Sequence, residues 1–290
     1  VSRFIALFAS GLAYSAILAL VALGFLVLYK ATGVLNFAHG DLVTLGTYVA
    51  LWAITQLHFP IVAGYAFAIF LLFIAGVVVE RVAYAPLRSR PPLVVVIATL
   101  AAAIVIEGCI AVWQSSNPTS LPSPLGNRVF TLGGAQISYQ EVAVVAVSAV
   151  VIAGLLFAFH RTSLGRQVRA VASDPRTARL YGVRTRLLSI IAFGASASMA
   201  CLAGVLVAPL STVNLTFGFS LMINAFAAAV LGGFGSLGGV VLGAFVIGMI
   251  QQVVGGYIFQ SYAPALPFII MFLVLAVRPQ GLVAIRTQRL

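Results

Sequence analysis

Apolar residues along this chain come in long unbroken runs. They neither alternate nor form a single stripe at helical spacing. The runs fall at about 8–29, 37–57, 61–80, 93–113, 139–160, 187–208, 221–233, 237–258 and 264–277, each bounded by Pro, Gly or polar residues. A helix apolar on every side belongs in a large core or in lipid, and about 20 residues are needed to cross the hydrocarbon layer. Open strands would leave backbone groups unpaired there, so the pattern predicts helices throughout. The run at 221–233 is too short to span unaided. The first run is longer than a signal-peptide core and has no cleavage-like end, so it is expected to remain a membrane helix.

Composition sharpens this picture. Hydrophobic residues make up 62% of the 290 and charged residues only 7%, against about 25% charged in soluble domains. So few charges cannot cover a water-facing surface. The expectation is an all-α integral membrane protein, a single transmembrane domain over 1–290 with eight or nine transmembrane or half-membrane helices. The formal net charge is +11, and Lys30 is the only lysine among the 16 basic residues. The arginines sit in short gaps between apolar runs, as cytoplasmic anchors do. That placement points to a membrane surface and away from nucleic acid.

The same arginines predict orientation. The segment 161–186 holds Arg161, Arg166, Arg169, Arg176, Arg179, Arg184 and Arg186 against one acid, Asp174. Arg81, Arg88 and Arg90 form a second basic gap, and Arg278, Arg286 and Arg289 a basic tail. The 114–138 loop carries only Arg128 and is expected outside. The N-terminus is then external and the C-terminus cytoplasmic, provided an odd number of crossings follows 186. Within the external loop, "NPTSLPSPLG" (117–126) reads as irregular, and "VFTLGGAQIS" (129–138) as a β-hairpin turning at Gly133-Gly134.

The stretch "GGFGSLGG" (232–239) contains a G-x-G-x-x-G at Gly233, Gly235 and Gly238. A dinucleotide loop needs a strand before it, a helix after it and an acid about 20 residues on. Here both flanks are membrane runs and no Asp or Glu follows Asp174. Gly232, Gly233, Gly235, Gly238 and Gly239 are better read as a helix break, beside a translocation path or a tight helix crossing. Broken helices of that kind also occur at transporter binding sites.

"LNFAHGD" (35–41) opens the second run. Asn36 reads as its N-cap, and Asp41 lies where helix-terminal amides favour negative charge. His39 would complete a polar cluster with Asp41 near the inner mouth of a path. Glu107, inside the fourth run, is the one acid placed for ion coupling. Glu80 and Glu141 flank runs and read as interfacial. Cys109 and Cys201 read as small hydrophobes. Three scattered histidines give no metal-ligand spacing, and no catalytic set is visible, so neither metal, cofactor nor enzyme chemistry is expected of this chain.

The segment 161–186 reads as two short cytoplasmic helices. Ser163 caps the first, whose apolar stripe is Leu164, Val168, Val171 and Ala172. The second starts with Asp174 at N-cap and Pro175 at N1, and stops at Gly182. Thr177, Ala178 and Tyr181 share one face, with Arg176 and Arg179 on another. A capped helix with a small apolar face points to a docking partner, and a solvated loop touching anionic lipid is the simpler alternative.

"LNFAHGD", "VRAVASDPRTARLYGV", "LGGFGSLGGVVLGAFVIG" and the final "VRPQGL" resemble, in the same order, the permease subunits of bacterial branched-chain amino acid ABC importers. The likeness spans nearly the whole chain, whose length is similar to the smaller of the two permeases that pair in such systems. It implies a heterodimer with a second homologous permease in the inner membrane, two cytoplasmic ATPase subunits that use the ATP, and an external solute-binding protein. It also implies that 161–182 includes the coupling helix docked into an ATPase. Importers of urea, short amides and aromatic acids share these motifs. An ion-coupled secondary transporter is the other alternative.

Overall fold

A computed structural model of the protein describes residues 2–114, 118–126, 128–257, 264–278 and 281–282. Arg286, Arg289 and part of the "VRPQGL" motif lie outside the described residues. The runs become helices α1 (Ser2–Thr32), α2 (His39–Thr55), α3 (Ile61–Val79), α4 (Pro92–Gln114), α5 (Tyr139–Arg161), α8 (Thr185–Val207), α9 (Phe217–Gly232), α10 (Leu237–Tyr257) and α11 (Leu266–Val277). Between α5 and α8 lie the short α6 (Ser163–Ser173) and α7 (Pro175–Leu180). Six of the described helices are long and apolar enough to cross a membrane. The 221–233 run proves longer than its apolar core, because α9 begins four residues earlier, yet its 16 residues still fall short of a full span.

The hairpin forms as the alternation predicts. Strand β1 (Val129–Leu132) pairs antiparallel with β2 (Ala135–Ser138), and Gly133 and Gly134 both take positive φ, 58° and 79°. That is the mirror-image turn whose twist suits a two-residue hairpin. Ser138 and Glu141 then start α5 with a reciprocal cap. The Gln140 amide donates to the Ser138 hydroxyl, and the Ser138 amide to the Glu141 carboxylate at 3.1 Å. The S-x-x-E spacing carried that signal.

The chain divides into two compact bodies. The first comprises Val1–Leu23, Leu125–Val150 and Met222–Leu290. In it α9 and α10 fold back on each other. A Cβ at Gly232 would strike the Gly239 carbonyl, and one at Gly243 would strike the Ala228 carbonyl. Small residues bring these two backbones into contact, which is how helices associate where burial from water provides no drive. The glycine break is thus a reversal of direction between two helices.

The second body comprises Gly24–Pro124 and Val151–Leu221. Here α2, α3 and α8 pack mutually. A Cβ at Gly46 of α2 would stand 2.7 Å from Cys201 of α8, and one at Gly76 of α3 would strike the Phe193 carbonyl of α8. Outward, α3 and α4 expose Val62, Phe70, Ile74, Leu93, Ile97, Ile104 and Val112, an apolar surface suited to lipid.

Candidate functional site

The segment after α5 forms a small folded module in the second body. Thr162, extended at φ −92°, caps α6 by accepting from the Gly165 amide at 3.2 Å. The cap is therefore Thr162, and Ser163 is already the first helical residue. Arg169 of α6 donates to the Phe159 carbonyl at the end of α5, and its guanidinium lies 5.6 Å from the Phe159 ring. Of the expected stripe, Val171 is buried and Val168 packs against the same cluster, whereas Leu164 and Ala172 point outward.

Asp174 and Pro175 start α7 as the spacing predicts. The Arg176 amide donates to one Asp174 carboxylate oxygen at 2.9 Å, and the Thr177 hydroxyl donates to the other. The Thr177 hydroxyl, then the Arg176 amide, hold this carboxyl below the usual carboxylate range. Gly182, at φ +81°, ends the helix. Its amide donates to Arg179, and the Val183 amide to Ala178. These two bonds make a Schellman motif.

One expectation is overturned here. Ala178 is buried, packed with Val171 and Leu188 and flanked by Val168 and Val183. It faces its own chain because the Schellman turn folds Val183 back over it. Thr177 spends its hydroxyl on Asp174. The outward face of α7 is instead Leu180 and Tyr181, 87% and 85% exposed. Arg176 and Arg179 are exposed as well. Leu180 escaped sequence reading because it lay outside the chosen stripe. The Ala178–Leu188 contact joins α7 to the base of α8, and α8 packs on α2 and α3.

The "LNFAHGD" residues gather in the second body too. Asn36, His39 and Asp41 are all buried. Asn36 accepts from the Ala38 amide at 3.1 Å, so it caps the turn ahead of α2, while the helix proper starts at His39. His39 and Ser196 of α8 share a hydrogen bond of 3.1 Å between Nδ1 and Oγ. The Phe37 amide donates to Thr99 of α4 at 3.3 Å, and the Gly218 amide to Thr44 at 2.9 Å. Thr44, Thr99 and Ser196 carry no sequence signal of their own, since single hydroxyls in apolar helices are common. Their role appears only when three helices meet.

Among the break glycines, Gly233 takes φ +87°, and Gly232 and Gly239 are buried at the crossing of α9 and α10. Gly235 and Gly238 are exposed, and a Cβ at Gly238 would meet open space. Ser236 caps α10 by accepting from the Gly239 amide at 2.9 Å. The Leu282 amide donates to the Leu231 carbonyl at 2.8 Å and covers the end of α9. Of the two flank acids, only Glu80 departs from the interfacial expectation. Glu141 is a helix cap that also accepts from Ser10. Glu80 lies in a π-helical turn, Glu80–Tyr84, fully buried, with Arg81 Nε 3.8 Å away.

The family model described as branched-chain amino acid transport system permease component matches residues 7–275. The high-affinity branched-chain amino acid permease protein BraD of Pseudomonas aeruginosa is 32% identical, covering 94% of this chain and 93% of its own length. LivH of Escherichia coli K12 is 30% identical over the same shares. A probable LivH of Methanocaldococcus jannaschii is 28% identical over 96% of this chain and 91% of its own. With helical runs, capped α7 and glycine reversal all inside the matched span, this multi-pass membrane chain belongs to the family of branched-chain amino acid transport system permease components.

Proposed function

We propose that this chain is one of two homologous permeases in an ATP-driven importer of branched-chain amino acids, set in a bacterial plasma membrane. Two cytoplasmic ATPase subunits supply the energy, and an external binding protein delivers the solute. The N-terminus is external, the 129–138 hairpin faces outward, and 161–186 and the C-terminus face the cytoplasm. The observation that carries the reading is α7: a helix capped at both ends, anchored to α8 through Ala178 and Leu188, and presenting Leu180 and Tyr181 outward. An ATPase groove that receives Leu180 and Tyr181 moves α7 as it closes on ATP. The Ala178–Leu188 contact passes that displacement to α8 and so to α2 and α3. Of the buried polar residues, His39 and Thr44 lie on α2 and Ser196 on α8, with Asn36 just ahead of α2 and Thr99 on α4, so their packing changes as α2 and α8 move. The names of the relatives support the choice of solute.

The test is uptake of labelled leucine by proteoliposomes holding this chain, the second permease and both ATPases, with binding protein outside and ATP inside. Uptake is expected to need all components and to be displaced by isoleucine or valine, but not by urea or benzoate. Leucine uptake that persists without the ATPases would overturn the reading in favour of ion coupling.

A further inference from the structure

We propose that the phosphate group of an anionic phospholipid occupies a cavity at the root of α7, held by Arg88 and Arg179. The cavity is about 180 Å³ and lies wholly within the second body. That leaves room for a phosphate and some water, at ~30 Å³ for each water. Thr32, Tyr84, Arg88, Arg179, Thr185 and Ser189 line it, so two guanidinium groups meet four hydroxyls. An adjoining hollow shares Arg88, Arg179 and Thr185 and adds Arg186.

No carboxylate lines either space. The Glu80 carboxylate contacts Arg81 at 3.8 Å and acts on Arg88 and Arg186 only from farther off. Three arginines share this hollow against that single carboxylate, so an anion joining them relieves their mutual repulsion. The Thr32 and Ser189 hydroxyls donate to the Leu28 and Thr185 carbonyls, so the guanidinium forks, with the Thr185 hydroxyl beside them, are what match a phosphate group's several acceptor oxygens.

The source of that phosphate follows from the neighbouring surface. Val78 at the end of α3, Val82 in the π-helical turn after it, and Leu93 and Ile97 at the start of α4 are strongly exposed apolar side chains. Arg88 lies in the turn between these helices, where the lipid-facing surface ends and headgroups begin. Basic pockets at that level bind anionic headgroups. Pro175 and Arg179 belong to α7, so a bound headgroup braces the helix against α8. The proposal does not depend on the solute carried or on what docks at Leu180 and Tyr181.

The test uses the purified full chain in uncharged detergent. It is titrated with phosphatidylglycerol, phosphatidylcholine or inorganic phosphate, and bound lipid is counted by native mass spectrometry. Phosphatidylglycerol should bind well ahead of phosphatidylcholine. Each guanidinium near a headgroup contributes about five-fold, so Arg88→Gln with Arg179→Gln should weaken phosphatidylglycerol about thirty-fold. Arg88→Lys with Arg179→Lys should restore part of the loss, which separates lost charge from misfolding. Arg90→Gln with Arg166→Gln, exposed arginines off the cavity, should bind like the parent chain. Equal binding of both lipids, or parent-level binding by the double Gln variant, overturns the proposal. So does displacement of the lipid by matched inorganic phosphate, which would make this a free-anion site. Loss of bound lipid when the ATPases assemble would assign the arginines to acidic side chains of that partner, and overturn it as well.

Discussion

Replacing Tyr181 by Ala should detach the ATPase subunits while leaving the permease as stable as before. Tyr181 is 85% exposed at the C-terminal end of α7 and holds nothing else in place. An enclosed aromatic side chain buries roughly 150–250 Å². At roughly 25 cal/mol per Å², the low end of that range stabilises the complex by about 4 kcal/mol. Fixing the side chain costs about 1 kcal/mol, which leaves about 3 kcal/mol, or roughly 150-fold in affinity. Leu180→Ala should act in the same direction with a smaller effect. Ala178→Asp should fail differently. It places an unpaired carboxylate among Val171, Leu188 and Val183, at a cost of at least about 1–3 kcal/mol, so the permease itself melts earlier. The assay is co-purification of the ATPases, with a melting curve of each variant in detergent. Tyr181→Ala should lose the ATPases with its melting temperature unchanged, whereas Ala178→Asp should shift both. If Tyr181→Ala and Leu180→Ala together retain the ATPases at parental levels, the outward face of α7 is not the docking surface.

Two further outcomes follow from the geometry. Gly243→Ala should lower stability by about 1–3 kcal/mol, because its methyl would press on the Ala228 carbonyl and the Gly232 amide. Gly238→Ala, with open space around its Cβ, should stay within about 0.5 kcal/mol of the parent; equal melting curves for the two would contradict the tight α9–α10 crossing. The Asp174 carboxyl is held low by Thr177 and Arg176, so its stabilisation of α7 is complete above the unfolded value of about 3.9 and is lost as pH falls through the lower folded value. Hydrogen exchange of the Arg176–Ala178 amides should therefore be well protected from pH 8 to pH 5 and loosen only below about pH 4. A transition near neutral pH would refute the cap as the cause.

What the sequence determined by itself is whatever depends on neighbours along the chain. Nine apolar runs became helices because lipid leaves the backbone no other partner than itself. Gly133-Gly134, Asp174-Pro175 and Gly182 were readable because a turn or a cap is decided by the φ and the hydrogen bonds of a few adjacent residues. Tertiary structure decided what depends on residues distant in the chain. Thr162 displaced Ser163 as a cap because α6 had to turn back on Phe159. Ala178 went inward and Leu180 outward because Leu188, ten residues on, supplied the surface to cover. His39 found Ser196, and Phe37 found Thr99, across helices that share no local pattern. In G-x-G-x-x-G the spacing carried no meaning, and the working glycines are those at the crossing, Gly232, Gly239 and Gly243, together with Gly233 at positive φ. The membrane helices are apolar on every side, so hydrophobic pattern marks where they are but not which faces meet. That choice rests on small residues, scattered hydroxyls and backbone contact, which become visible only when the helices are packed.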